Sequence, residues 1–303
     1  MTGEYALRDF SNATSDEIED ALEAGEVVYF RECPIALPSE RELAWLCSGL
    51  GAGLKAKNLS YHPESDSVPR FEADDGTKIR VENLLRGYGK RVAEFWRRSV
   101  PDFMPGATIG TTSFRPVEEK GRDLKPRSSN ELVHIDAGAY GATNGARILR
   151  FFVNVNPERD RVWGTRGSFE TLMRRHEPLW RAAKGRKDRV PVEKGPLDRL
   201  YSGLVSTASR VYPLLRVIDS SPYDRSMRRI HNYMKETESF RQDASDYQEI
   251  RFPPFSAWMV FTDGISHAAL SGQYAFVSTA LIPLQNCRHF ERTPYGILKT
   301  ATA

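Results

Sequence analysis

The sequence predicts an α+β fold whose core is a double-stranded β-helix, the jelly-roll or cupin-like arrangement, and three observations carry that reading. From Ala107 onward, short runs rich in β-branched and aromatic residues recur, bounded by Gly, Pro and Asn. The first hundred residues instead hold helix signatures with a strand among them. A stretch near 165–245 with helical patterning separates the early runs from the late ones, as an insertion between barrel strands does. A chain of 303 residues, 40% hydrophobic and 27% charged, sustains a packed core of this kind.

Taken in order, Thr14 and Glu17 form a capping-box pair opening a short helix that ends near Gly25. Val27-Val28-Tyr29-Phe30 reads as a buried strand. Ser39 and Glu42 cap a second helix with Leu43, Leu46 and Leu50 on one face, and Leu84–Val100 makes a third, stopped at Pro101. The expected core strands are Ala107–Pro116, Leu132–Ile135, Arg147–Val155, Ala257–Thr262 and Tyr274–Ile282. Within the insertion Phe169–Ala183 and Tyr223–Phe240 read as helices and Gly185–Gly195 as a basic loop, with Pro253-Pro254 as its close. The division expected is an N-terminal α/β segment over 1–105 packing on the barrel, the jelly-roll core with its helical insertion over 106–290, and a tail over 291–303.

The 43 basic against 40 acidic residues leave a net +3, too little to argue for nucleic acid. Three widely spaced cysteines (Cys33, Cys47, Cys287) give neither a disulfide framework nor a zinc pair, so a reducing cytoplasm is the simplest compartment. Met1–Phe10 lacks a secretory pattern, and no run of about 18 apolar residues spans a membrane. Residues 157–189 carry ten Lys or Arg against five Asp or Glu. Peripheral contact with an anionic inner-membrane surface, contact with an acidic substrate, or a solvated face all fit that segment.

The chemistry concentrates in Val133-His134-Ile135-Asp136. On a strand, residues two apart share a face, so an imidazole and a carboxylate aim at one point. His-x-Asp alone is a weak pattern, and a second histidine must arrive from a later strand. His267 does so, after Trp258–Thr262 and the turn Asp263–Ser266. Two His and one carboxylate on one face of an octahedron leave three positions open, the arrangement of non-haem iron(II) sites. His62, His176, His231 and His289 compete less well and read as surface or packing residues.

An acidic cosubstrate needs a cation, and Arg suits because its planar fork meets a carboxylate bidentately. Ala268–Ile282, beyond the second histidine, holds no Arg or Lys. Arg147 and Arg150 do stand in an otherwise apolar strand, where a buried cation requires an anionic partner. Their spacing puts them on opposite faces: Arg150 with Phe152 and Asn154, Arg147 with Phe151 and Val153. Arg150 is the first candidate and Arg147 the second. Asn144-Gly145 reads as a turn, with a cosubstrate contact by Asn144 as the alternative.

The block His134–Ala139, the run Thr143–Pro157 and the long run Phe252–Ala275, together with Ser113–Pro116, Arg161–Gly164 and Tyr223-Asp224-Arg225, resemble the Kdo 3-hydroxylase family. Kdo is the acidic sugar 3-deoxy-D-manno-oct-2-ulosonic acid. The resemblance implies a jelly-roll oxygenase using Fe(II), 2-oxoglutarate and O2 to hydroxylate C3 of Kdo in Kdo-lipid A, with His134, Asp136 and His267 as metal ligands. Arg115, Arg161 and Trp163 are candidate substrate contacts, and Gly138 and Ala139 put small residues beside the metal. Two other readings stay open: an oxygenase of the same fold acting on a soluble metabolite such as an amino acid or nucleoside sugar, and a non-catalytic cupin-like binding protein.

Overall fold

The computed structural model describes residues 3–50, 58–69, 71–118, 120–121, 123–138, 142–196, 198 and 220–300. The N-terminal part holds β1 (Gly3–Glu4), α1 (Ser15–Glu23), β2 (Val28–Phe30), α2 (Glu40–Ala44), β3 (Leu59–Tyr61) and α3 (Asp75–Ser99). Both expected capping boxes form, Thr14 with Glu17 and Ser39 with Glu42. Gly25 ends the first helix at φ +76, and a Cβ there would meet the Cβ of Ser168 at 2.8 Å, so close approach as well as backbone shape requires glycine. The third helix starts nine residues before the expected Leu84, because Asp74 caps the backbone of Thr77.

The strands that follow are β4 (Thr108–Arg115), β5 (Arg147–Asn154), β6 (Arg161–Thr165), β7 (Gln248–Phe252), β8 (Ala257–Phe261), β9 (Ala268–Ser271) and β10 (Ala275–Ile282). They build two sheets: a six-stranded one in the order β2-β8-β5-β10-β4-β3, and a four-stranded one in the order β1-β7-β6-β9. Every pairing is antiparallel except β1 with β7. The N-terminal segment therefore adds β2 and β3 to the flanks of the larger sheet as well as covering it.

Strand alternation decides what each face does. Leu149, Phe151 and Val153 of β5, with Met259 and Phe261 of β8, face the N-terminal helices and join Leu22, Leu85 and Trp96 in the first core. Phe152, Trp258 and Val260 face the smaller sheet and meet Trp163, Ile250 and Phe252 in a second. Trp258 lies between Phe152 and Phe252, stacked at centroid distances of 5.2 and 3.7 Å. Truncating so large a buried ring costs about 3–5 kcal/mol.

The insertion holds α4 (Phe169–Arg175), α5 (Glu177–Lys184), α6 (Pro222–Glu236) and α7 (Glu238–Gln242), all between β6 and β7. Each expected helix is thus two: the first breaks at His176, the second at Thr237. Their apolar faces (Leu172, Leu179, Met227, Ile230, Met234) form a third core around Ile135. Leu298 of the C-terminal helix α8 (Pro294–Thr300) is buried in the same core, in a region the sequence marked only as a tail.

Candidate metal centre

Ile135 sits in the insertion's core while its neighbours His134 and Asp136 turn into the gap between the two sheets. The expected strand Leu132–Ile135 is reduced to a single bridge, in which His134 and His267 exchange both backbone hydrogen bonds at 3.0 and 2.8 Å. Side chains take the carbonyls a ladder would need. Nδ1 of His134 bonds the carbonyl of Leu132 at 2.7 Å, and Nδ1 of His231 bonds that of Ile135 at 2.7 Å. The backbone N–H of Asp136 donates to Thr262 at the end of β8 (2.8 Å).

A carbonyl only accepts, so Nδ1 of His134 carries a proton and Nε2 keeps its lone pair. His267 is fixed the same way by the carbonyl of Ile265 at 3.1 Å. One donor atom from each of His134, Asp136 and His267 lies within 4.8 Å of the others, and Nε2 of His134 is 3.9 Å from Oδ1 of Asp136. Burial holds both imidazoles below their ordinary proton affinity, most strongly His134, where the neighbouring His267 and Lys235 add to it. Burial pushes the Asp136 carboxyl up, but Arg150 and the two imidazoles overturn that and hold it well below the usual range. Two neutral nitrogens and one carboxylate, each fixed in orientation by the fold, fit a divalent iron ion.

Arg150 brings its Nη2 to 3.0 Å from Oδ2 of Asp136. That oxygen makes no aligned hydrogen bond and the buried Nε of Arg150 has no acceptor among the described residues, so the guanidinium fork is not locked bidentately on Asp136. Arg115, Asn130, Phe152, Trp163 and Ala269 complete a small cavity of about 50 Å³ around the triad. The Trp163 ring stacks on His267 at 5.3 Å. A larger cavity of about 270 Å³ lies beyond Leu132 and Val133, against Arg166 and Phe240, and contains none of the three ligands.

The other candidates lie elsewhere. Arg147 is on the opposite face of β5, its Nε 2.6 Å from Asp263 and its guanidinium 4.0 Å from the Phe261 ring centroid. Asn144 is an exposed turn residue at φ +53 whose backbone N–H donates to Asp224. Arg161 is buried and donates to the carbonyl of Gly272, away from the cavity wall. Gly138 is described; Ala139 and Tyr140 lie outside the described residues. His231, expected to be a surface or packing residue, stands with its ring 5.1 Å from that of His134. Its only sequence signal was a polar residue on the apolar side of the α6 pattern.

Two mostly antiparallel sheets that enclose two histidines, one aspartate and a neighbouring arginine define a mononuclear non-haem iron oxygenase of the jelly-roll class. Residues 7–303 match the model of the 3-deoxy-D-manno-oct-2-ulosonic acid (Kdo) hydroxylase family, and the chain belongs to that family. Among solved structures it is similar to the Kdo hydroxylase KdoO, a non-haem Fe(II) α-ketoglutarate-dependent dioxygenase, in several states. The complex with α-ketoglutarate and Fe(III) is 27% identical with a TM-score of 0.76. The cobalt(II) complex is 28% identical at 0.77, and the complex with succinate and Fe(III) 26% identical at 0.73. Each match covers 99% of this chain and 94% of the other. No curated protein matches the sequence.

Proposed function

We propose that the protein hydroxylates Kdo with Fe(II), 2-oxoglutarate and O2, and that its substrate is C3 of the Kdo unit in Kdo-lipid A. The observation that carries the reading is the His134–Asp136–His267 cluster within 4.8 Å, in a chain of the Kdo hydroxylase family. An iron(II) ion bound there supplies, with 2-oxoglutarate and O2, the oxidising power for C–H hydroxylation, giving succinate and CO2.

The protein's own residues bind, orient and exclude water. His134 and His267 would hold the metal through Nε2, and Asp136 through Oδ1, while Arg150 turns Oδ2 away. Arg150 reaches the cosubstrate's distal carboxylate with the part of its fork that Asp136 leaves unused. Phe152 and Trp163 form an apolar wall that keeps the site dry. Arg115 is the candidate cation for an anionic substrate at the same cavity.

The lipid-linked form of the sugar is supported by the basic run 157–189, of which Arg174, Arg175, Arg181, Arg186, Lys187 and Arg189 are exposed. No helix among the described residues is long and apolar enough to cross a membrane, so contact with a lipid surface would be peripheral. The test is mass spectrometry after incubating the iron-loaded protein with 2-oxoglutarate, ascorbate and Kdo-lipid A. A gain of one oxygen on Kdo is expected. No gain there, with a clear gain on a soluble metabolite, overturns the substrate while leaving the oxygenase intact.

A further inference from the structure

The insertion helix α6 carries a polar group, His231, beside the candidate metal centre and outside the cluster of three candidate ligands. Nδ1 of His231 is 2.7 Å from the carbonyl of Ile135, so Nδ1 holds the proton and Nε2 a lone pair. The ring stands edge-on to His134, with centroids 5.1 Å apart at 82°. Nε2 makes no hydrogen bond among the described residues, and the side chain is only half-buried. Here one nitrogen is fixed to the metal-binding segment and the other is an acceptor of set orientation.

The same helix face explains what such an acceptor is for. Met227, Ile230 and Met234 are buried in the insertion's core, and His231 interrupts them. One turn further on is Lys235, buried, its ammonium donating to the carbonyl of Arg127 at 3.2 Å. Residues four apart on a helix are neighbours, so an acceptor and a cation stand side by side next to the metal ligands. A polyhydroxylated sugar acid offers the complement of that pair: hydroxyl donors and a carboxylate.

We propose that His231 is a substrate-contact and positioning residue. Its Nε2 accepts a hydrogen bond from a hydroxyl of the acidic sugar, while its Nδ1 holds the carbonyl of Ile135 and so the His134–Asp136 segment. The barrel supplies the metal and the insertion reads the sugar. The inference rests on the Kdo reading above.

Two variants separate the two nitrogens. His231→Asn keeps a donor where Nδ1 stands and has nothing at Nε2; His231→Gln places an amide where Nε2 stands. His231→Asn is expected to bind Co(II) and 2-oxoglutarate within about twofold of wild type. Its KM for Kdo-lipid A rises about tenfold, the loss of roughly one hydrogen bond, and more 2-oxoglutarate is consumed per hydroxylated product. His231→Gln recovers most of the KM. Unchanged KM and coupling in His231→Asn overturn the proposal. So does a loss of cobalt affinity in both variants with unchanged KM, the mark of a purely structural role. Wild-type protein that consumes 2-oxoglutarate without oxidising Kdo-lipid A overturns the substrate reading and this inference with it. That failure is visible before any variant is made.

Discussion

Nη2 of Arg150 lies 3.0 Å from Oδ2 of Asp136, so the cation expected to hold the cosubstrate also rests on a candidate metal ligand. In the proposed reading one guanidinium would couple two binding events, with Oδ1 of Asp136 3.9 Å from His134 and the Nε of Arg150 left for an incoming carboxylate. Arg150→Ala should therefore weaken 2-oxoglutarate by about 30-fold, the value of roughly 2 kcal/mol for a charge-assisted contact. Calorimetry in the presence of cobalt measures it, and wild-type affinity in the variant would move the anchor elsewhere.

Arg147 predicts the opposite phenotype from the same strand. Its side chain is 2% exposed and Asp263, its partner, 3%, with Oδ1 of that aspartate also accepting from the backbone of Ile148. Arg147→Ala leaves a buried carboxylate without its cation and should cost about 3–5 kcal/mol of stability. Cosubstrate affinity of the folded fraction should stay as in wild type. Urea denaturation and calorimetry together distinguish loss of fold from loss of binding.

The candidate metal ligands give a pH prediction. Burial depresses the proton affinity of His134 and His267 below the ordinary 6.5. A depressed folded-state pKa contributes stability above the unfolded value, and that stability is lost as pH falls below it. The metal-free protein should therefore weaken as pH drops through 6.5, by up to about 1.4 kcal/mol per pH unit for each imidazole. Urea midpoints across that range test it. His134→Ala and His267→Ala should each flatten the profile and abolish cobalt binding, while most of the apolar core, which neither ring enters, keeps the fold.

The strand-face argument on Arg147 and Arg150 was legible because alternation is a local property and the strand is buried on both sides. The clustering of His134, Asp136 and His267 was legible in part: His267 follows the strong β8 pattern, whereas Leu132–Ile135, expected as a strand that aims His134 and Asp136 to one side, forms only a single bridge. β6, β7 and β9 were not read as strands. All three are short; Arg161 and Gly164 interrupt the apolar pattern of β6 and Gln248 and Glu249 that of β7, while β9 is only four residues, Ala268–Ser271. The place of His231 beside His134 was not legible because it depends on how α6 docks on residue 135, a contact 96 residues apart that no spacing encodes.

Arg288 tests how the two ends of the chain hold together. Its Nη2 lies 2.7 Å from Asp16, 2.9 Å from Glu19 and 2.7 Å from Asp102, joining α1 to the segment after β10. Glu19 is buried and its carboxyl is pushed up to about 7, chiefly by burial, from 4.5. A raised carboxyl pKa contributes stability at low pH that is lost as pH rises through the folded value. Arg288→Met removes the cation that offsets that loss. It should cost about 1–2 kcal/mol near pH 8, given screening of the partly exposed arginine, and less near pH 5. Glu19→Gln in the same background should remove the difference, and denaturation at the two pH values measures it.

The basic insertion face gives the last prediction. Arg174 and Arg175 are exposed at the end of α4, Arg175 already paired with Asp246, so neither is required by the core. If an anionic lipid-linked sugar is drawn in by this face, the attraction crosses water and is screened over about 8 Å at physiological salt. KM for Kdo-lipid A should then rise several-fold between about 50 and about 300 mM NaCl while the 2-oxoglutarate affinity changes little, since that contact is enclosed. Reversing the charge at Arg174 and Arg175 should raise KM at low salt and flatten the salt dependence. Retained salt dependence in the double variant would assign the effect to cations nearer the candidate metal centre, with Arg115 and Lys235 the first to exchange.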